Sequence, residues 1–382
     1  MRIAMIGAFG LRPKGTLSVR ALPLAKALVQ RGHQVELIVP PWDNPTDARR
    51  EWTEDGVEIK NTGVRLKPLI PPRLVGKALR NKPEVVHFFK PKAYAGLAAL
   101  FVEWAKFARL AHARIVVDED DWEGAGGWND RADYPYVMKQ FFAWQEKHGL
   151  THNDALTVAS RALETLALGH GVKVNRVFYL PNGPGLDLAD APIAGSAAHP
   201  PTIILYTRFF EFSVERVIEI CKRVMDKCPG TRLMVVGKGL NGEEEELLSG
   251  ARVNGFFEQV SYHGWVPAEV VPQFFAKADV AIYPFDDTLI NRTKCAVKLA
   301  DLLAAGLPVV GEAVGQIPEY IRHNETGLLV QPGDVEGFAA AVVSLLENKD
   351  LRAKLGGQAR AMMDNEFAWD KLARVAERAY GA

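Results

Sequence analysis

Short apolar runs alternate with amphipathic helical stretches along almost the whole chain, and this alternation most restricts the fold. RIAMIG, HQVELIVP, EVVHFF, RIVVDED and ALTVAS read as strands. Between the first two, SVRALPLAKALVQRG has apolar residues at helical spacing and stops at Gly32, a C-cap signal. After residue 200 the pattern returns, with PTIILYTR, TRLMVVG, DVAIYPF and PVVGEA as strands and VERVIEICKRVMDKC and KCAVKLADLLAAG as helices. Runs that are apolar throughout belong to strands covered on both faces, which predicts an α/β fold with parallel sheets. GPGLDLADAPIAGSAAHPP, at 183–201, has no periodicity and separates the halves. The expectation is two doubly wound, Rossmann-like domains at 1–185 and 202–362, a linker at 186–201 and a last helix at 363–382 that packs back on the first domain. Two such domains on a hinge face each other across a cleft, with the carboxyl ends of the strands as the ligand-ready edges.

Composition narrows the function. The 382 residues carry 46 basic and 46 acidic side chains, so no protein-wide field draws the chain to nucleic acid. Three cysteines without framework spacing (Cys221, Cys228 and Cys295) read as reduced thiols and point to the cytoplasm. MRIAMIGAFG reads as a buried first strand, because its apolar run ends at a glycine turn and Arg12 without a cleavage pattern. His148 and His152 have no further ligand spacing around them, so no metal site is expected.

Gly7, Gly10 and Gly15 follow the first strand, with Thr16 after them, but the spacing is not that of the dinucleotide fingerprint. The stretch after the second strand, PPWDNP, lacks the acidic residue a dehydrogenase places on ribose. The segment 288–311, TLINRTKCAVKLADLLAAGLPVVG, is more informative. A basic loop runs into a helix start expected near Thr293, so the amides of Cys295, Ala296 and Val297 would offer an anion site. Lys294 and Lys298 share a face beside it, and Asp301 lies one turn on, placed to accept from ribose hydroxyls or to pair with Lys298. Arg208 ends the run ILYTR, where its fork can hold two phosphate oxygens.

Taken in order, LAKALVQRGHQV after PKGT, VVHFF, DALTVAS, LPNGPGLD, VSYHGWV, LAAGLPVV, GQIPEYI and NETGLLVQPGD resemble the retaining nucleotide-sugar glycosyltransferases of family 4, which have the GT-B fold. The resemblance implies that the first domain binds an acceptor and the second a nucleoside-diphosphate sugar, a co-substrate with no further cofactor or metal. It implies donor contacts at Gly15, Thr16, Arg208, His263, Gly264, Thr293, Lys294, Cys295, Ala296, Val297, Lys298 and Asp301, with His263 and Gly264 framing the base. Two family features are missing. The usual Lys after the Arg falls on Ser213, and the first of two glutamates falls on Thr293; Lys298, alone or with Lys294, is expected to replace the lost cation.

Asp120 falls where the family often has a His near the donor sugar. It is taken as catalytic with Arg208 and Lys298, while His87, Asp121, Trp122 and Trp128 are taken as acceptor contacts. Asp118-x-Asp120 spells the D-x-D of metal-dependent glycosyltransferases of another fold, and the Trp side chains suit either a sugar ring or packing under the Gly-rich loop. Glu319 matches a family acidic position, or is a helix N-terminal charge. The expected reaction is metal-independent transfer to an acceptor hydroxyl with retention. A catalytically silent nucleotide-sugar-binding protein and a nucleotide-sugar epimerase are the alternatives. The acceptor stays open between a saccharide and a lipid-linked molecule. Between Lys60 and Lys92 nine basic residues face one acidic residue, Glu84, so a peripheral contact with an anionic membrane surface is weighed against a solvated basic face.

Overall fold

The computed structural model describes residues 1–12, 15–188 and 200–381. Pro13 and Lys14 of the PKGT motif, and most of the expected linker, lie outside the described residues. The chain divides into two compact units. Unit 1 comprises Met1–Gly183, Thr293–Cys295 and the chain from Ala368 onward; unit 2 comprises Pro184–Arg292 and Ala296–Phe367.

Unit 1 begins with β1 (Arg2–Gly7), a π-helical turn (Leu17–Ala21) continuing into α1 (Leu22–Gln30), β2 (Gln34–Val39), β3 (Glu51–Glu54), β4 (Val57–Asn61) and α2 (Ile70–Leu79). It goes on through β5 (Val85–Phe89), α3 (Ala93–Phe107), β6 (Arg114–Glu119), α4 (Trp128–Arg131), α5 (Tyr136–Thr151), β7 (Ala155–Val158), α6 (Arg161–Gly169) and β8 (Val177–Tyr179). The sheet order is β3-β4-β2-β1-β5-β6-β7-β8. All neighbours run parallel except β3 and β4, a hairpin whose turn residues Asp55 and Gly56 both have positive φ. Asp-Gly suits that turn because its twist matches the strands and needs left-handed backbone at both positions. The apolar runs are buried throughout, as two-sided coverage requires: Ile3, Met5, Ile6, Leu37, Ile38, Val86 and Phe88 are all at or near zero exposure. In one layer α2 packs on α3 and α3 on α5, while α1 packs against the last helix.

Unit 2 contains β9 (Thr202–Tyr206), α7 (Val214–Lys227), β10 (Arg232–Val236), α8 (Glu243–Val253), β11 (Val260–Tyr262), α9 (Val271–Phe275), β12 (Val280–Tyr283) and α10 (Leu289–Thr293). There follow α11 (Val297–Ala304), β13 (Val309–Glu312), α12 (Ile317–Tyr320), β14 (Leu328–Val330), α13 (Val335–Glu347) and α14 (Lys349–Met362). Its parallel sheet has the order β11-β10-β9-β12-β13-β14. Val217, Ile218, Cys221 and Val224 of α7 fill the core with Ile203, Leu205 and Val235. Cys221 is a buried thiol that packing pushes up to about 12, a structural rather than reactive sulfur.

The last helix, α15 (Trp369–Tyr380), belongs to unit 1. Arg31 and His33 bind its Glu377 at 2.7 and 2.9 Å, and Arg114 Nε donates to the Ala379 carbonyl at 2.8 Å.

Candidate functional site

In unit 2 the loops after β9, β10 and β11 are locked to one another. The amide of Gly237 donates to the Gly264 carbonyl at 2.7 Å. A Cβ on Gly237 would lie 1.8 Å from the Thr207 carbonyl oxygen, at φ +130°, so only glycine lets these two loops touch. Arg208 leaves this junction exposed to solvent. The exposed His263 ring rests on Phe274, and its pKa is lowered by burial and by Lys277.

Lys298, in the first turn of α11, holds its Nζ 3.4 Å from the centroid of Tyr206, the last residue of β9. This cation–π contact brings an ammonium to the strand end two residues from Arg208. Ser213 is the N-cap of α7 and accepts from the Arg216 amide at 3.4 Å, which explains a serine there in place of a cation. Arg216 is paired with Glu312 and Asp286. Asp301 is buried, and its Oδ1 accepts from the amides of Gly185 and Leu186 at 2.7 and 3.0 Å. Burial pushes its carboxyl up to about 6 against the pull of those amides and Lys298.

The helix start differs from expectation. Thr293 ends α10, Ala296 is extended and caps α11, and the helical amides begin at Val297 and Lys298. Thr293 and Cys295 are buried in unit 1 instead. Ser160 Oγ donates to the Thr293 carbonyl at 2.6 Å; Asn182 donates through Nδ2 to the Cys295 carbonyl at 2.9 Å and through its amide to Sγ at 3.2 Å. Thr293 and Cys295 are therefore held as packing residues rather than as a helix N-terminus. Lys294 is half-buried between them, and Glu319 sits in the first turn of α12.

In unit 1 the carboxyl end of β6 gathers acids and bases that sequence reasoning saw only in part. Arg20, from the turn before α1, forks onto Asp118 with two 2.6 Å bonds and reaches Asn182 Oδ1 at 2.8 Å and the Leu180 carbonyl at 3.0 Å, fully buried. Thr157 Oγ1 donates to Asp118 Oδ1 at 2.6 Å. Arg20 and Asn182 were missed; the LPNG motif around Asn182 was their one signal. The D-x-D reading of Asp118 fails on this geometry, since both its oxygens are taken by Arg20 and Thr157. Lys90, with φ +59°, holds its ammonium 3.0 Å from Asp121, 3.4 Å from Asp120 and 3.6 Å from Glu123, and Lys92 binds Glu123 at 2.8 Å. Burial pushes Asp120 up to about 7, with Lys90 opposing and Asp121 and Asp118 adding to the shift. Burial also raises Glu119, together with the charge of Glu146.

Glu146 accepts from the Glu123 amide at 3.1 Å, and burial beside Glu123 pushes its carboxyl up to about 8. Between its ordinary value near 4.5 and about 8 the folded chain keeps a proton that the unfolded chain has released, so this group lowers stability as pH rises through that window. Glu146→Gln keeps the acceptor oxygen and removes the charge. In thermal unfolding it is expected to be more stable than wild type by roughly 1–3 kcal/mol at about pH 8, the gain vanishing below about pH 5. A gain equal at both pH values would contradict this origin.

Two acceptor assignments are corrected. His87 lies in mid-strand with no exposure, between Tyr380 Oη at 2.9 Å and Thr157 Oγ1 at 3.3 Å, and burial lowers its pKa to about 4. It is a core histidine that no acceptor touches. Trp122 is buried under its own loop, with Nε1 donating to the Ala125 carbonyl at 2.8 Å and the ring stacked on His170. A Cβ on Gly124 would come 2.3 Å from that ring, so the loop glycines serve tryptophan packing. Trp128 heads α4, half-buried, and its amide donates to the Trp122 carbonyl at 3.0 Å. Gly15 is exposed and its carbonyl accepts from Val19 N and Ser18 Oγ, with Thr16 opening the helical turn. The basic run from Lys60 to Lys92 is not a uniform patch: Lys60, Lys77, Lys90 and Lys92 are all in ion pairs with carboxylates. Among the described residues no group of three or more His, Cys, Asp or Glu is arranged to hold a metal, and no helix is long and apolar enough to cross a membrane.

Two parallel-sheet units, one of them carrying Arg208 and Lys298 at the end of its strand β9, are the architecture of the GT-B class. Residues 15–183 match the family described as glycosyl transferase 4-like domain, and residues 200–348 match glycosyl transferases group 1. The chain belongs to the family 4-type glycosyltransferases of GT-B fold. Among curated relatives it is 24% identical to the sulfoquinovosyl transferase of Arabidopsis thaliana, over 78% of this chain and 56% of that protein, so it spans little more than half of that relative's length. It is 25% identical to the phosphatidyl-myo-inositol mannosyltransferase of Mycobacterium leprae, over 100% of this chain and 96% of that protein. Among solved structures, sucrose-phosphate synthase from Thermosynechococcus elongatus superposes with a TM-score of 0.73 at 19% identity, covering 100% and 98% of the two chains. The Anabaena protein HepE in complex with UDP superposes with a TM-score of 0.69 at 17% identity over both whole chains.

Proposed function

We propose that this glycosyltransferase moves a sugar from a nucleoside-diphosphate donor to an acceptor hydroxyl, with retention of configuration and without a metal ion. The observation that carries this is the Lys298 ammonium set on the Tyr206 ring beside Arg208. Glycosidic bond breaking puts negative charge on the departing diphosphate. Arg208, Lys298 and the first amides of α11 supply fixed positive charge for it, the electrostatic stabilisation that is usually the largest catalytic contribution. The UDP complex of the HepE relative supports a nucleotide donor. For retention, the acceptor oxygen attacks the face the diphosphate leaves, and a departing phosphate oxygen takes the acceptor proton. Asp120, poised near neutrality, is the unit 1 group proposed to accept a hydrogen bond from a sugar hydroxyl. The acceptor is a saccharide or a lipid-linked hydroxyl; the Mycobacterium leprae relative is named for a phosphatidylinositol acceptor.

A second reading, donor binding without turnover, is favoured by Thr293, buried where the family carries a glutamate. Nucleoside diphosphate release from UDP- and GDP-sugars, followed with and without saccharide and lipid acceptors, separates the two. Release that requires an acceptor, with an α-linked product from an α-linked donor, is the expected result. Binding without release across the panel would establish the second reading, and donor interconversion without acceptor would make the protein an epimerase.

A further inference from the structure

Helix α3 is apolar at all but Glu103 and Lys106 in its last two turns, with small residues inside and large ones outside. Ala95, Ala98, Ala99 and Val102 are buried, while Phe101, Trp104 and Phe107 form an outer stripe at helical spacing. Trp104 is 67% exposed, Phe107 92% and Leu110, just past the helix end, 82%. A soluble helix ordinarily turns such a stripe to the core and a polar face to water. The neighbouring α5 repeats the feature, with Val137 and Trp144 exposed and Phe141 half-buried. His148 of α5 binds Glu103 of α3 at 2.9 Å, and Trp144 stacks on His148, which joins the two stripes into one surface.

The same helical layer turns cationic at α2, which packs on α3. Arg49, Arg73, Lys77 and Arg80 line a shallow cavity of about 450 Å³ whose single acidic member is Glu51. Arg49 holds φ +65°, and a Cβ on Gly63 would meet its Nε at 3.2 Å, so the glycine leaves room for the guanidinium. Arg109, exposed with φ +59°, stands between Phe107 and Leu110.

We propose that the outer face of the α2–α3–α5 layer is seated on an anionic lipid surface, with the α3–α5 aromatic side chains at the headgroup–acyl boundary and the exposed Arg49 and Arg80 on lipid phosphates. Three features select lipid as the occupant. The exposed aromatic and aliphatic side chains of α3 and α5 share one surface. Cations flank and interleave with them, complementary to anionic headgroups. Trp and Phe side chains with basic neighbours suit the bilayer interface, where part of the side chain stays wet. With no described helix long enough to cross, the layer lies on the bilayer. This inference does not rest on the donor reading above.

The test is flotation of the full chain with phosphatidylglycerol–phosphatidylcholine vesicles and with phosphatidylcholine vesicles alone. Wild type is expected to float with the anionic vesicles at low salt and more weakly with the neutral ones. The double substitution Trp104→Glu with Phe107→Glu is expected to reduce binding at least about tenfold at every salt concentration. Arg49→Ala with Arg80→Ala is expected to reduce it on the order of tenfold with anionic vesicles at low salt only. Both variants should keep the wild-type unfolding midpoint and nucleoside diphosphate affinity, which separates this surface from the donor site. Absence of wild-type flotation at low salt, or flotation unchanged by the aromatic substitutions, overturns the proposal. So does a wild-type dimer in sedimentation that those substitutions dissolve, which would assign the face to a second copy of the chain.

Discussion

Arg20→Met is expected to destabilise unit 1 by about 3–5 kcal/mol, one of the two largest effects of any single substitution considered, with a fall in Tm of roughly 10 °C. The cause is the carboxylate left behind. Asp118 now receives two guanidinium bonds and one hydroxyl bond with no exposure to water. Without Arg20 the charge stays buried with a single donor, and Asn182 Oδ1 loses its guanidinium bond as well. A second substitution, Asp118→Asn, removes the stranded charge and should return part of the loss; thermal unfolding of the single and double variants measures both. If the single variant unfolds with wild type, the Arg20–Asp118 pair does not hold this unit together.

Arg208→Ala is expected to lower kcat by about 10²–10³-fold. The side chain is exposed and stands 5.9 Å from the half-buried Phe210 ring, so the effect should fall on turnover, with the unfolding midpoint little changed. Lys298→Ala should act in the same direction through nucleotide affinity. Its ammonium stands on the Tyr206 ring, and that contact is worth little beside a diphosphate it can pair with. Steady-state kinetics with the donor found active would show both; turnover equal to wild type in Arg208→Ala would remove the strand end of β9 from the chemistry.

Much of this fold was legible in the sequence because its strands are buried on both faces and read as unbroken apolar runs. The β3–β4 hairpin went unread, although Asp55-Gly56 carried its turn signal. Arg20 could not be found by pattern: it occupies one position of an otherwise ordinary amphipathic helix, and its partner lies 98 residues away. The start of α11 was misjudged because Ala296 is a poor capping residue and nothing in TKCAV marks the end of α10. His87 was misread because a strand histidine looks alike whether it faces a ligand or the core. The basic run from Lys60 to Lys92 looked uncompensated only within its own bounds, since its partners are Glu58, two residues before it on β4, and Glu36, Glu51, Asp121 and Glu123 from other strands and loops. The aromatic side chains of α3 were visible as FVEWAKF, but a sequence does not say which side of a helix with so few polar residues stays outside.

The claim that Lys298 and Arg208 form a diphosphate grip is tested most directly by calorimetric titration of wild type and Lys298→Ala with UDP and GDP, and with uridine and guanosine. The variant is predicted to lose about ten- to hundredfold in affinity for the diphosphate that wild type binds, while its nucleoside affinity stays within about twofold. Equal losses for diphosphate and nucleoside, or no loss for either, would contradict it.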